Sequence, residues 1–207
     1  MTAFREWKDD ILHHKGEILL ALFFFALAIV STVVSSNYVD ETRTAPVPDL
    51  LLDALPVVNL SFLFIWGAVL VFVVYLLYPL VFEPKRFHYA LGMLGLFLLV
   101  RSGFVVLTHL RAPIGAINVA TPGFLSVLSY SNDLFFSGHT GLPFLGYLVF
   151  THPWMKRFML ASSIILAATV LLMHVHYSID VASAYFITYG TFVIGTLLFG
   201  GTTEAKA

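Results

Sequence analysis

Long apolar runs separated by short polar islands constrain the fold of this chain more than any other feature. Of its 207 residues, 59% are hydrophobic and only 11% are charged, whereas roughly 25% of residues are charged in ordinary soluble domains. A helix needs about 20 apolar residues to cross a hydrocarbon core of about 30 Å. The sequence therefore predicts an all-α membrane protein in which residues 1–207 form a single transmembrane domain.

The apolar runs predict a six-transmembrane-helix bundle. The predicted spans are residues 17–36, 56–82, 88–110, 137–151, 158–175 and 180–199. Proline and acidic residues make 37–53 a predicted loop, with a short interfacial helix at its end over 50–55. Proline and glycine likewise predict an interfacial or partly re-entrant loop over 111–132.

Lysine and arginine are distributed unequally between the two sides of the predicted bundle. Arg101 lies inside a span, and Arg43 and Arg111 fall on one side. The other side carries eight cations, namely Arg5, Lys8, Lys15, Lys85, Arg86, Lys156, Arg157 and Lys206. Because positive charge marks the cytoplasmic side, both termini are predicted to be cytoplasmic. The loop before residue 137 and the turn between 175 and 180 then face away from the cytoplasm.

Composition excludes several functional classes. The net charge is -1 and no basic run occurs, which argues against nucleic-acid binding. The absence of cysteine excludes disulfides, a thiolate nucleophile and a cysteine-based zinc site. No carboxylate-rich cage is visible, so neither a metal nor another cofactor is predicted. The expected partners are membrane lipids, and a homo-oligomer is compatible with the sequence.

Two histidines lie at the ends of apolar segments beside carboxylates. His139 follows Ser137-Gly138 and begins one apolar run. His176 is followed four residues later by Asp180, a spacing that allows the carboxylate to fix the tautomer and orientation of the imidazole. Such a pair suits transfer of a phosphoryl group.

These motifs resemble a known family. The stretches Asp133-x3-Ser-Gly-His-Thr and His-x-His-Tyr-Ser-Ile-Asp-Val resemble the two signature motifs of the sphingomyelin synthase family, a branch of the type 2 phosphatidic acid phosphatase-like lipid enzymes. The resemblance extends to Leu99-Val100-Arg101 and to Ala184-Tyr185-Phe186-Ile187-Thr188. It covers roughly the second half of the chain.

The resemblance implies a role for each motif residue. His176 would attack phosphorus to form a phospho-histidine, with Asp180 accepting a hydrogen bond from its other ring nitrogen. His139 would protonate the departing lipid alkoxide. Asp133 has two interpretations, a second base that positions the acceptor hydroxyl or a helix cap. His174 matches a family histidine, but Val175 replaces the acidic residue that often follows it there, which favours a structural role for His174.

Further residues are candidates for substrate binding. Arg101 lies at a membrane depth where a charge is costly. It is predicted to clamp two phosphate oxygens, and the alternative is an internal ion pair with a carboxylate such as Asp133. His109 and Arg111 lie near the same rim and could hold lipid head groups, although a snorkelling anchor explains Arg111 equally well. The remaining candidates come from the two motifs and are Ser137, Gly138 and Tyr177.

Departures from the wider phosphatase pattern favour a phosphodiester substrate. Thr169-Val170 stands where those enzymes carry a Ser-Arg pair, and Arg111-Ala112-Pro113 lacks the lysine that precedes their Arg-Pro. Fewer cations suit a singly charged diester better than a dianionic monoester. The sequence predicts an enzyme that takes a phospho-alcohol head group from a glycerophospholipid, releases diacylglycerol, and passes the group to ceramide, another lipid alcohol or water. The alternatives are a lipid phosphate phosphatase and a non-catalytic lipid-binding or transport protein.

Overall fold

The computed structural model describes residues 14–42, 45–119 and 134–199. Within these ranges every regular element is helical. The six α-helices are α1 (Lys15–Thr42), α2 (Ser61–Phe82), α3 (Phe87–Leu107), α4 (Gly138–Val149), α5 (Pro153–Leu172) and α6 (Ser178–Phe199). Two short 3-10 turns lie at Leu52–Ala54 and Pro84–Arg86. All the α-helices except α4 are long and apolar enough to cross a membrane, so the chain is a multi-pass helical membrane protein.

Four predicted spans differ from the helices that are observed. Helix α1 continues to Thr42, six residues beyond the predicted end at 36, so the first part of the predicted loop 37–53 is helical. Helix α4 has 12 residues and is about 18 Å long at a rise of about 1.5 Å per residue, so the count of six spans stays a prediction. Helix α2 begins at Ser61 and not near residue 56. The segment before it, residues 56–60, is not helical, and its Val58 N–H donates outside the segment, to Leu172 O at 2.7 Å. Helix α5 begins five residues earlier than predicted, at Pro153, which suits a first helical position.

Helices α1 and α3 run parallel to each other and contact at intervals of seven residues. The pairs are Glu17 with His88, Phe24 with Gly95, Ser31 with Ser102, and Tyr38 with His109. A seven-residue repeat keeps one stripe of each helix against the other. The closest approach is at Gly95, where a Cβ atom would lie 2.8 Å from the Phe24 backbone. Small side chains therefore let the two backbones pack tightly.

Several contacts place the two short interhelical connections at one end of the bundle. The Thr151 hydroxyl donates to Glu83 Oε1 at 2.7 Å, and Arg86 Nη2 donates to Val149 O at 3.5 Å. We call this the basic end, because the described cations Lys15, Lys85, Arg86, Lys156 and Arg157 lie there. The opposite end, here the site end, carries loop L1 (residues 45–60), loop L2 (residues 108–119) and the turn between α5 and α6.

A buried aromatic and sulfur-containing core joins the helices between the two ends. Its largest buried side chains include Tyr75, Phe97, Phe136, Met93 and Met159. Phe136 directly precedes the Ser-Gly-His motif and packs edge-on against Phe97 of α3, with ring centroids 5.6 Å apart. The core thereby fixes the start of α4 against α3, which positions the site described next.

Candidate active site

The turn between α5 and α6 has a defined shape, and we call residues 173–177 the catalytic turn. The His174 N–H donates to Leu171 O at 3.0 Å, and the Val175 N–H donates to Val170 O at 3.1 Å. His174 itself has a left-handed backbone conformation, with φ at 54°. This pattern is a Schellman motif, whose left-handed position usually holds glycine. The His174 backbone therefore ends α5, in agreement with the structural role favoured by the sequence.

Asp180 connects the catalytic turn to the start of α6. Its Oδ2 atom accepts a hydrogen bond from the Tyr177 N–H at 2.8 Å and lies 3.4 Å from His176 Nδ1. The first contact is that of a capping box, in which an acidic side chain in the first turn reaches back to the preceding N–H. Both His176 and Asp180 are buried. One carboxylate oxygen therefore caps the helix and faces the imidazole.

His139 lies in the first turn of α4 and faces His176. The two ring centroids are 6.3 Å apart, with an interplanar angle of 61°. On its other side, the His139 ring stacks on Phe64 of α2 at 4.0 Å and 21°. Stacking restricts rotation of the imidazole, so helices α2, α4 and α6 together hold the two histidines at a distance that one phosphate group can bridge.

Arg101 reaches the same place from α3. Its Nε atom donates to the carbonyl oxygen of buried Phe136 at 2.9 Å. The side chain crosses the face of Gly138, where an added Cβ would lie only 3.2 Å from Nε. Arg101 is also close enough to interact electrostatically with His139. The guanidinium is thus held at the start of α4, beside the histidine pair.

Loops L1 and L2 are both bound to the catalytic turn. Asp49 Oδ2 accepts a hydrogen bond from the Ser178 N–H at 2.6 Å. The buried Tyr177 hydroxyl donates to Arg111 O at 2.8 Å and accepts from the Val47 N–H at 3.1 Å. Burial raises the pKa of Tyr177, which keeps its hydroxyl protonated as a donor. These bonds hold the rim of the site in one arrangement.

The carboxyl group of Asp49 is ionised near neutral pH, because its pKa is lowered. Burial raises the pKa of its carboxyl group, but hydrogen bonds from the backbone of Ser178, Leu52 and Leu51 outweigh burial and hold the pKa below its usual value. A carboxylate is also favourable at the start of α6, since a helix N-terminus carries partial positive charge. Asp49 therefore holds loop L1 at the start of α6 through a hydrogen bond to Ser178 and through its charge.

The other predicted site residues are found in several environments. Ser137 is fully buried, its N–H donates to Asp180 O at 3.1 Å, and its Oγ atom meets no hydrogen-bond partner among the described residues. The Arg111 side chain is exposed at the rim, and His109 packs edge-on against Tyr38 of α1. Asp133 lies outside the described residues. Direct contact of these residues with a substrate stays a prediction.

Two residues that contribute to the site were not identified from the sequence. Phe64 is one of many aromatic residues in an apolar span, and no local pattern distinguishes it. Asp49 belongs to a polar loop more than 120 residues before its partner Ser178. Only the fold brings Phe64 to His139 and Asp49 to Ser178.

Comparison with known proteins supports the superfamily that the resemblance implies. Residues 131–197 match the family model for the PAP2 superfamily C-terminal domain, which includes both histidine motifs and about a third of the chain. No curated protein and no solved structure matches the chain significantly. The family match supports the PAP2-like superfamily and, with it, a membrane-embedded lipid enzyme of the phosphatase or phosphotransferase type.

Proposed function

We propose that this chain is a sphingomyelin synthase-like lipid phosphotransferase that moves a phospho-alcohol head group through a phospho-histidine. The observation that carries the proposal is the buried His176–Asp180 pair with His139 facing it at 6.3 Å between ring centroids. A nucleophile, a group that orients it and a general acid are then present together. The family match supports the same broad chemistry.

The first half-reaction forms the covalent intermediate. His176 Nε2 attacks the phosphorus of a glycerophospholipid while Asp180 holds the Nδ1 side of the ring. The new N–P bond replaces the P–O bond to diacylglycerol. His139 takes up a proton when the negatively charged phosphodiester binds beside it, and gives that proton to the departing oxygen. The distance of 3.4 Å between Nδ1 and Oδ2 is long for a hydrogen bond, and such contacts often tighten when a substrate binds.

The second half-reaction reverses the roles of the same groups. The hydroxyl of a lipid alcohol or of water attacks the phospho-histidine, and His139 takes its proton. Breaking the N–P bond restores His176. Ceramide as acceptor gives a sphingophospholipid and water gives a free phospho-alcohol, so the acceptor alone decides between transferase and phospholipase C-type hydrolase.

Positive charge near the two histidines favours a phosphate substrate. Arg101 lies against Gly138, at the point where α4 begins. The first N–H groups of a helix have no partner within the helix, and the helix dipole adds partial positive charge there. Phosphate groups bind readily at such helix ends. Arg101 and the start of α4 therefore form a suitable cradle for the single charge of a phosphodiester.

The decisive experiment is product analysis of the purified, detergent-solubilised chain with mixed phospholipids. With and without ceramide, and with no added metal, mass spectrometry should detect diacylglycerol together with either a sphingophospholipid or a free phospho-alcohol. His176→Ala should abolish these products, whereas His152→Ala at the basic end should not. Release of inorganic phosphate from phosphatidic acid, with no diacylglycerol from diesters, would select the lipid phosphate phosphatase instead. No turnover of either substrate class would favour a non-catalytic protein.

The positive-inside pattern supports an extracytoplasmic site. The described cations at the basic end belong to the set that sequence analysis assigns to the cytoplasm. Since the chain has no native cysteine, single cysteines can report the topology. An impermeant thiol reagent added outside intact cells should label Ile114→Cys in loop L2 but not Lys85→Cys, both of which are exposed positions. The reverse pattern would put the site on the cytoplasmic side.

A further inference from the structure

A second cluster of ionisable side chains lies at the basic end, away from the histidine pair. Glu17 lies in the first turn of α1, His14 directly precedes that helix, and His88 lies at the start of α3. On α3, His88 precedes Arg101 by 13 residues, which corresponds to roughly 20 Å along a helix axis. The cluster is therefore separate from the candidate active site and has no part in the proposed reaction.

Two imidazole nitrogens converge on one carboxylate oxygen in this cluster. His14 Nδ1 lies 2.6 Å and His88 Nε2 lies 3.3 Å from Glu17 Oε2. The imidazole rings are stacked, with centroids 5.0 Å apart and an interplanar angle of 16°. One ligand atom from each residue falls within 4.8 Å of the other two. Three donor atoms this close together are what binding of a small cation requires.

From this geometry we propose that His14, Glu17 and His88 bind a divalent transition-metal ion of the zinc class. Zinc bonds to imidazole nitrogen and carboxylate oxygen are about 2.0–2.2 Å long, so neighbouring ligand atoms in a tetrahedral site are roughly 3.4 Å apart. The His88–Glu17 distance of 3.3 Å already fits, and the His14–Glu17 distance of 2.6 Å must open by about 0.8 Å when the ion binds.

The donor set selects the class of ion. Two imidazoles and one carboxylate suit zinc and its first-row neighbours, whereas magnesium and calcium prefer sites made of oxygen atoms. The side chains of His14 and Glu17 are 30% and 31% exposed, whereas the side chain of His88 is only 9% exposed. The site therefore has an anchored inner ligand and an open side through which the ion and a water ligand can enter.

The location of the cluster indicates what the ion does. Glu17 and His88 form the first of the seven-residue contacts between α1 and α3, and that contact joins the starts of two parallel helices. A bound ion links the start of α1, the first of the described helices, to the helix that carries Arg101. It acts as a structural clamp, because it lies far from the histidine pair.

Direct metal binding tests the proposal on the full-length chain in detergent. After treatment with a chelator and desalting, the protein is titrated calorimetrically with zinc, and bound metal is counted by elemental analysis. We expect one zinc per chain, a visible absorption spectrum typical of nitrogen and oxygen ligands when cobalt replaces zinc, and no comparable binding of magnesium or calcium. Zinc should also raise the melting temperature of the protein.

Matched variants locate the ion. Glu17→Gln and His88→Asn should each weaken zinc binding at least tenfold and remove the increase in melting temperature. Glu83→Gln and His152→Asn change the same residue types at the same end and should bind zinc normally. His14→Asn, at a more exposed position, provides a third test if a buried substitution lowers the melting temperature of the metal-free protein. Wild-type protein that retains less than one zinc per chain, or cluster variants that bind as tightly as the controls, would overturn the proposal.

Discussion

Gly138→Ala tests whether turnover depends on the position of the Arg101 guanidinium and not only on its charge. An alanine Cβ at this residue would lie 3.2 Å from Arg101 Nε and 3.7 Å from Cζ. Ordinary contacts between such atoms fall near 3.5–4.0 Å, so the guanidinium must move by about 0.5 Å. That movement also strains the 2.9 Å hydrogen bond from Nε to Phe136 O. The substitution leaves the charge, length and donors of Arg101 unchanged.

The expected cost follows from that displacement. A misplacement of about 1 Å can lower an enzymatic rate by about a hundredfold, so a shift of about half that size should lower kcat/KM about tenfold, or about 1.4 kcal/mol in the barrier. Stability should change little, because alanine is favoured over glycine in a helix by up to about 1 kcal/mol. That preference offsets the cost of moving a side chain that is only partly buried.

Diacylglycerol release and thermal unfolding by tryptophan fluorescence measure the two quantities. The control is Gly190→Ala in α6, where no described atom outside the surrounding helical backbone lies within 4 Å of the added Cβ. It should retain full activity and the same or a slightly higher Tm. If Gly138→Ala were as active as Gly190→Ala, the position of Arg101 beside α4 would not matter for turnover, and the proposed phosphate cradle would be wrong.

Three further predictions follow from the site. His176→Ala should give no single-turnover product, while His139→Ala should retain slow formation of a phospho-enzyme detectable by mass spectrometry, since losing the acid only raises the barrier; equal activity of His176→Ala and wild type would refute the scheme. Arg101→Lys should lower kcat/KM by about ten- to a hundredfold, because one ammonium group cannot both bind Phe136 O and clamp a phosphate. The loss corresponds to one charged hydrogen bond of about 1.5–3 kcal/mol, and unchanged kinetics would exclude the clamp. Asp49→Asn should lower Tm near neutral pH, and the difference in Tm from wild type should become smaller below about pH 3.8. A carboxyl group with a lowered pKa contributes stability that is lost as pH falls through that pKa, so a constant difference in Tm across that range would contradict the role of its charge.

Asp180 has two roles that the sequence alone does not separate. The spacing of four residues predicts contact with His176, and the structure adds a capping bond to the Tyr177 N–H from the same oxygen. Local spacing is sufficient to predict both contacts, since they lie within one turn of backbone. Charge distinguishes the two contacts in the proposed reaction, because an asparagine oxygen can cap the helix but carries no negative charge to stabilise an imidazolium.

Hydropathy and local spacing determined much of this protein. Apolar runs are sufficient to predict the five long helices, since the bilayer imposes their length. Local spacing also predicted the contact between His176 and Asp180, which the structure shows at 3.4 Å between Nδ1 and Oδ2. The predicted start of α2 was wrong where a tertiary contact intervened, since the Val58 N–H is bonded to Leu172 O and the segment before α2 is not helical.

Only the tertiary structure decided which distant residues meet. Phe64 stacks on His139, and Asp49 caps the start of α6, across separations at which no local pattern operates. The same is true of His14, Glu17 and His88, whose convergence depends on the parallel packing of α1 and α3. Hydrophobic periodicity specifies which segments cross a membrane, but within lipid it does not select partners, because lipid tails are as apolar as the helix surfaces. Close packing at small residues such as Gly95, together with a few polar contacts, makes that selection.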